Sequence, residues 1–166
     1  MFELQPPPSA DKPDLYRHLE SQLAALLHGE RDLLANAANT ASLLFHTLPD
    51  LNWAGFYRLA GEELVLGPFQ GKPACVRLKL GKGVCGTAAV RRATVLVPNV
   101  HEFPGHIACD SASNSEIVVP VLRGGTMLGV LDLDSPVLGR FDGYDQLGLE
   151  RVVTLLVAAS DHSPSA

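Results

Sequence analysis

Cys109 stands in a polar segment that could supply a reactive thiol. Residues 104–110 carry small and polar side chains, and carboxylates lie on both sides of the cysteine. An apolar run at 117–120 follows, which predicts a loop beside a core strand. Such loops, held by a rigid sheet, commonly carry binding and catalytic groups. A lone cysteine is more often a small buried hydrophobic residue, but these neighbours indicate a nucleophile in a polar pocket.

Two further carboxylates, Asp132 and Asp134, come at the end of a second apolar run. The predicted strands 117–123 and 127–133 are joined by a Gly-Gly pair, which is a strong hairpin signal. In a hairpin, the end of the second strand lies beside the start of the first, here at Glu116. The three carboxylates should therefore meet near one thiol. The alternative is a solvated strand end, with Asp134 capping the turn that follows.

Crowded carboxylates have a definite acid–base consequence. Like charges close together raise the pKa of at least one group, so one acid can stay protonated near neutral pH while another remains ionised. The protonated acid can stabilise and protonate an oxygen that gains negative charge during nucleophilic attack. The ionised acid can bind a cationic group.

Two aromatic residues flank a glycine in the aromatic-rich run 52–59. As a strand, this run places Trp53, Gly55 and Tyr57 on one face. Because Gly55 leaves room between the rings, they could form a box for a small apolar group. They could equally be core aromatics, and the pattern by itself favours neither interpretation.

The other two cysteines belong to different predicted elements. Cys75 lies on the more polar face of an alternating strand at 74–80, so we expect it to be accessible. Cys85 lies in the stretch 81–90, which is predicted to be a glycine-rich loop opening a short helix. Free N–H groups at a helix start bind anions, but this loop matches neither a P-loop nor a dinucleotide fingerprint. A small carboxylate is the better candidate for an anion there.

Helical patterns flank the predicted strands. Leucines spaced by three and four predict one helix from about residue 13 to His28, and a second is predicted at 30–48. Asp142 is a suitable N-cap for a helix at 143–159. Residues 1–12 are a Pro-rich arm, and 161–166 are a polar tail that we expect to be frayed.

Composition limits the classes of function. A chain of 166 residues is the size of one domain, and no apolar run is long enough to span a bilayer. The first residues lack the pattern of a secretory signal, so we expect a cytoplasmic protein. A net charge of −5 argues against nucleic acid as a partner. In a reducing compartment, three cysteines are buried thiols, metal ligands or redox groups.

The chain resembles the free methionine-(R)-sulfoxide reductases, a family of stand-alone GAF-domain enzymes, over roughly residues 30–155. The set of three cysteines with three carboxylates is specific, because GAF sensor domains share the fold without it. Asn99 departs from the family pattern, which has an acid before Val100. The motifs that carry the resemblance are Asn52-Trp53-Ala54-Gly55-Phe56-Tyr57, Pro68 to Cys75, Gly83-Val84-Cys85-Gly86-Thr87-Ala88-Ala89, Val100 to Asp110, Ser115 to Pro120 and Leu131-Asp132-Leu133-Asp134-Ser135.

The resemblance implies an α+β fold with a central antiparallel sheet of about six strands. The N- and C-terminal helices would pack on one face of the sheet, and the active-site pocket would lie on the other. Residues 13–160 would form a single GAF domain. We also expect a homodimer without a cofactor. We expect no metal, because the thiols are needed as nucleophiles.

The resemblance also implies a role for each candidate site residue. Cys109 corresponds to the cysteine that attacks the sulfoxide, Cys75 to the main resolving cysteine and Cys85 to an auxiliary thiol. The implied chemistry passes through a sulfenic acid and an intramolecular disulfide, which an external dithiol, thioredoxin, reduces. The remaining roles concern binding: Trp53 and Tyr57 surround the substrate's methyl group, and Glu116, Asp132 and Asp134 hold its ammonium and polarise the sulfoxide.

Two other classes of function compete with this interpretation. A GAF-type small-molecule sensor would keep the pocket but would not need the cysteines. A zinc protein would need several thiol and imidazole ligands, although no pair has the close Cys-x-x-Cys spacing of a structural site. The residues available for that zinc site are Cys75, Cys85, His101, His106 and Cys109.

Overall fold

The structure is a computed structural model that describes residues 2–5, 11–106 and 110–161. Within these residues, helices flank and interrupt a set of six strands. The elements are α1 (Lys12–Leu26), α2 (Leu33–Thr47), β1 (Trp53–Ala60), β2 (Glu63–Gly71), β3 (Arg77–Lys79), α3 (Gly83–Arg91), β4 (Val95–Val97), a 3-10 turn (Val100–Glu102), β5 (Ser115–Arg123), β6 (Thr126–Ser135) and α4 (Gly143–Ala159).

The six strands form one sheet in the order β3-β2-β1-β6-β5-β4. The described strand pairs are all antiparallel. The hairpin predicted at the Gly-Gly pair is present, with Arg123 paired to Thr126. β1 and β6 are the two central strands, and other elements cover both faces of the sheet there. The expectation of a six-stranded antiparallel α+β fold is confirmed.

The two faces of the sheet bury two separate apolar cores. Ala54 and Phe56 of β1 point toward the core that contains α1, α2 and α4. Trp53 and Tyr57 point the other way, toward the core that contains α3. This division follows from the alternation of side chains along a strand. The terminal helices therefore pack on one face, as predicted, and the other face is left for the pocket.

A buried ionic cluster joins the start of α4 to α1. Asp142 caps α4 as predicted, and Asp145 completes a capping box. The Asp145 carboxylate is fully buried and accepts hydrogen bonds from Lys12, Tyr16 and Arg140. The cluster therefore links α1 to α4, and removing one of its cationic partners would leave a buried charge uncompensated.

The predicted strand at 74–80 is mostly wrong, because only Arg77–Lys79 forms a ladder. Cys75 lies in the loop that precedes β3. The backbone of this loop bonds to side chains: Trp53 Nε1 donates to the Lys72 carbonyl at 3.2 Å, and Tyr57 Oη donates to the Cys75 carbonyl at 3.0 Å. Carbonyl groups used in this way do not need a neighbouring strand.

The second helix begins at Leu33, three residues later than predicted. The Glu30 carboxylate accepts from the N–H groups of Arg31 and Asp32, and the Asp32 side chain accepts from Ala35 N–H as the N-cap. These local side-chain bonds satisfy the N–H groups outside the helix.

The ends of the chain are only partly described. Gln5 N–H donates to Gln22 Oε1 at 2.9 Å, and Asp161 forms a bridge with Asp32. The predicted boundaries at 12/13 and 160/161 stay predictions. Within the described residues, no helix has the length and apolar character needed to cross a bilayer.

Candidate active site

The site is built on the face of three central strands. Trp53 of β1 lies opposite Asp134 of β6, and Asp134 lies opposite Glu116 of β5. One row further along, Gly55 lies opposite Asp132. Residues two apart on a strand share a face, so the aromatic pair and the three acids point the same way. The predicted residues that line one cavity there are Trp53, Tyr57, Cys85, Glu116, Asp132 and Asp134.

The three carboxyls are removed from water. Glu116 and Asp132 are each 6% exposed, and Asp134 is half-buried. The solvated strand end is therefore the wrong alternative. Burial raises the pKa of all three acids, and their mutual repulsion raises it further, from Asp134 on Glu116, from Glu116 on Asp132 and from Asp132 on Asp134. The cavity therefore favours protonated acids or a cationic occupant.

The aromatic pair is both a box and part of the core. The Trp53 ring stacks between Tyr57, at a centroid distance of 5.8 Å, and Phe69, at 5.4 Å. Both predicted aromatics are almost fully buried, yet both line the cavity. A Cβ atom at Gly55 would lie 2.4 Å from Phe69 Cβ and 2.7 Å from Trp53 Cη2. Only glycine therefore lets these rings stack over the strand.

The two described cysteines differ in state. Cys75 is disulfide-bonded and half-buried. Cys85 is a free thiol on the first turn of α3 and is 5% exposed. Burial, followed by the charges of Asp132 and Glu116, raises the pKa of Cys85. Cys109, the predicted nucleophile, lies outside the described residues.

A polar rim around the cavity was not predicted as part of the site. Asn52 Nδ2 donates to Asp110 Oδ2 at 3.2 Å and to Ser113 Oγ at 3.0 Å. Asp110 also lies 3.6 Å from Lys72 Nζ. The position of Asn52 directly before Trp53 is the feature of the sequence that could have identified it as a site residue. Its amide ties the start of β1 to the segment that follows Cys109.

The histidines of the alternative zinc site are separated. His106 lines the cavity, with Nε2 at 3.5 Å from Glu116 Oε2, and burial lowers its pKa. His101 is exposed, and its Nε2 lies 2.9 Å from Asn114 Oδ1. The predicted zinc set is therefore not assembled as a whole among the described residues. His106 was considered only as a metal ligand, and its contact with Glu116 was missed.

The anion site expected at the start of α3 borders the same cavity. Lys82, Gly83 and Val84 line it. Lys82 is the N-cap, and its side chain makes no capping hydrogen bond. The cavity thus has an acidic wall, an aromatic wall and a helix start, which suits a small zwitterion.

Known proteins resemble this chain along most of its length. The GAF domain family matches residues 22–160. A free methionine-R-sulfoxide reductase of Escherichia coli (strain K12) is 52% identical over 146 residues, covering 88% of both chains. A protein of the same name from Saccharomyces cerevisiae (strain ATCC 204508 / S288c) is 44% identical, covering 88% of this chain and 86% of the relative.

Comparison with solved structures identifies the same family. The X-ray structure of free methionine-R-sulfoxide reductase from Neisseria meningitidis in complex with its substrate has a TM-score of 0.92 and 43% identity. The match covers 96% of this chain and 95% of that chain. The chain therefore belongs to the GAF-domain family of free methionine-R-sulfoxide reductases.

Proposed function

We propose that this protein reduces free L-methionine (R)-sulfoxide to methionine with electrons from thiols. One observation carries the proposal: a single cavity combines three carboxyls, two buried and one half-buried, with a stacked aromatic pair. The disulfide-bonded Cys75 is tied to this aromatic pair, because Tyr57 Oη donates to its carbonyl. The family membership of the chain supports the same activity.

The cavity offers a partner for each part of the substrate. An ionised acid pairs with the α-ammonium, because burial makes a carboxylate without a cationic partner costly. The methyl group on sulfur packs against Trp53 and Tyr57. The α-carboxylate lies toward the start of α3, at Lys82 and Gly83, where helix N–H groups favour an anion.

The acid–base step uses the raised pKa values. A protonated carboxyl among Glu116, Asp132 and Asp134 donates a hydrogen bond to the sulfoxide oxygen. Cys109 attacks the sulfoxide sulfur while that oxygen gains a proton. The oxygen then transfers from the substrate sulfur to the cysteine sulfur, and the bond formed between the two sulfur atoms breaks. A thiol and a sulfoxide thus become a sulfenic acid and methionine, with no other oxidant or reductant needed.

The second half of the cycle regenerates the thiol. The Cys75 thiol condenses with the sulfenic acid of Cys109, forming a disulfide and releasing water. An external dithiol, which we propose is thioredoxin, then reduces this bond. The disulfide at Cys75 and the free thiol at Cys85 support Cys75 as the resolving cysteine and Cys85 as the auxiliary one. A cytoplasmic location and a homodimer stay predictions.

The decisive experiment is methionine formation from racemic free methionine sulfoxide, with dithiothreitol as reductant. We expect consumption to stop when half of the racemate is used, because only the R epimer fits. Pre-reduced enzyme without dithiothreitol should form close to one methionine per chain. A sensor domain would form none, and consumption of both epimers would contradict the proposed orientation of sulfur.

A further inference from the structure

Three side chains from three different elements offer metal ligands inside the cavity. They are Cys85 on α3, Glu116 on β5 and Asp132 on β6, and all three are buried. One ligand atom from each lies within 4.8 Å of the others. The fold thus holds two carboxylates and a thiol together in the protein interior.

This cluster lacks a full set of partners. Asp132 Oδ1 is buried and has no hydrogen-bond partner in the part of the chain that the structure describes. The His106 imidazole lies 3.5 Å from Glu116. Lys72 lies by Asp110 on the rim. A buried polar atom without a partner requires an explanation, and an absent cation is one.

We propose that Cys85, Glu116 and Asp132 form a binding site for a zinc-like divalent cation, with the fourth position left open. Zinc accepts thiolate, imidazole and carboxylate ligands in a tetrahedron. At ordinary zinc–ligand bond lengths, a sulfur and an oxygen ligand lie about 3.5 Å apart. The cluster therefore needs to contract by about 1 Å to close around the ion, which side-chain rotation can supply. Calcium and magnesium are disfavoured, because they select oxygen ligands and higher coordination numbers.

The site has a consequence for the reductase, and this step rests on the proposed function. Glu116 and Asp132 cannot coordinate a metal and receive the substrate's ammonium together. Free methionine sulfoxide and the divalent cation should therefore exclude each other from the cavity. The ion would act as a reversible inhibitor that competes with substrate.

The test uses a full-length variant with Cys75→Ser and Cys109→Ser, in which Cys85 is the only remaining cysteine of three. Cobalt(II) is titrated into this protein under anaerobic conditions, and absorbance is recorded. We expect a near-ultraviolet thiolate-to-cobalt charge-transfer band with one-to-one stoichiometry, which zinc abolishes. No charge-transfer band would overturn the site.

Further substitutions assign the ligands in the same background. Loss of an outer-sphere partner weakens metal binding roughly 10–100-fold. Asp132→Asn alters a direct ligand and should weaken cobalt binding at least as much. Cys85→Ser should remove the band, and Glu62→Gln, an exposed acid in a turn, should leave binding unchanged. Glu116→Gln provides a second probe if Asp132→Asn does not fold. A cobalt affinity that is unchanged by both Asp132→Asn and Glu116→Gln would also overturn the site.

Competition separates this proposal from the proposed function. Free methionine (R)-sulfoxide should weaken cobalt binding more than alanine does at the same concentration, since alanine reports simple chelation. Cobalt binding without this competition would contradict mutual exclusion and the substrate pose. A missing cobalt site beside normal methionine formation would overturn the metal proposal alone and leave the reductase intact.

Discussion

Glu116 lies directly opposite Asp134 in the β5–β6 ladder. Like charges in this arrangement destabilise a sheet, and burial removes the solvent that would screen them. Burial and the charge of Asp134 raise the pKa of Glu116. A fold that keeps two acids opposite each other in a largely buried cavity gives up stability there, as proteins commonly do at functional sites. The relationship thus predicts how stability responds to pH and to neutral substitutions.

Neutralising this pair should stabilise the free protein. A carboxyl whose folded pKa is raised contributes stability below its unfolded pKa, about 4, and that contribution is lost as pH rises through the folded pKa. At pH 8, Glu116→Gln and Asp134→Asn should therefore raise the free energy of unfolding, each by roughly 0.5–2 kcal/mol. Urea denaturation at several pH values measures this change.

The matched control for that experiment is Glu62→Gln, which removes an exposed charge in the β1–β2 turn. It should change stability little at any pH. Between about pH 4 and pH 8, the free energy of unfolding should fall less steeply in Asp134→Asn than in the natural protein. If the free energy of unfolding fell equally with pH in Asp134→Asn and in the natural protein, the Glu116–Asp134 pair would not be the cause.

The three cysteines should separate into distinct kinetic roles. Cys109→Ser should abolish methionine formation, because no other thiol is proposed to attack sulfur. Cys75→Ser should still release about one methionine per chain in a single turnover, but it should not be recycled by thioredoxin. Rapid quenching followed by amino-acid analysis measures both. Half of the natural rate in Cys109→Ser would contradict the assignment.

Gly55→Ala should distort the substrate cavity and weaken the pairing of β1 with β2. The new methyl group meets Phe69 Cβ at 2.4 Å, the Trp53 ring at 2.7 Å and Phe69 Cα at 2.8 Å, so the backbone at Phe69 must shift as well as the Trp53 ring. A misplacement of about 1 Å can cost roughly 100-fold in rate, and we expect kcat/KM to fall by about 10–100-fold. Gly143→Ala is the matched control, because nothing lies within 4 Å of its Cβ. Equal kcat/KM for the two variants would contradict a role for the stacked rings.

Strand patterns predicted the positions of most site residues. Alternation placed Trp53 and Tyr57 on one face, and the Gly-Gly hairpin set the register that brings Asp134 to Glu116. Both signals are local, since side chains alternate along every strand and a two-residue turn fixes the pairing. The fold class was implied by the family resemblance.

The parts that failed depend on contacts between distant residues. Cys75 lies in a loop rather than a strand, because Tyr57 and Trp53 bond to the backbone of residues 72–75 from another strand. The contact of His106 with Glu116 joins a residue outside the strands to β5. No local periodicity encodes such contacts. Residues 74–80 do alternate in polarity. Hydrogen bonds from the Trp53 and Tyr57 side chains nevertheless hold the backbone of residues 72–75 in a loop, so that the ladder is limited to Arg77–Lys79.

The final prediction concerns the preference for a free amino acid. The cavity contains three carboxyls, although the side chain of methionine sulfoxide carries no positive charge and its oxygen needs only one donor. At least one acid should therefore pair with the α-ammonium, which exists only in free methionine or at the N-terminus of a chain. A blocked substrate leaves this carboxylate desolvated and unpaired, which typically costs several kcal/mol, or roughly a thousandfold.

Free methionine (R)-sulfoxide should thus be reduced, and the N-acetylated, C-amidated R compound should be nearly inert. The free S epimer should also fail, because inversion exchanges the oxygen with the methyl group that Trp53 and Tyr57 surround. Steady-state kcat/KM for the three compounds measures both preferences, with acetylated and free substrates matched in sulfur configuration. Comparable kcat/KM for the free and blocked R compounds would refute the role of the acidic cluster, because both carry the same sulfoxide and only the free compound carries the α-ammonium.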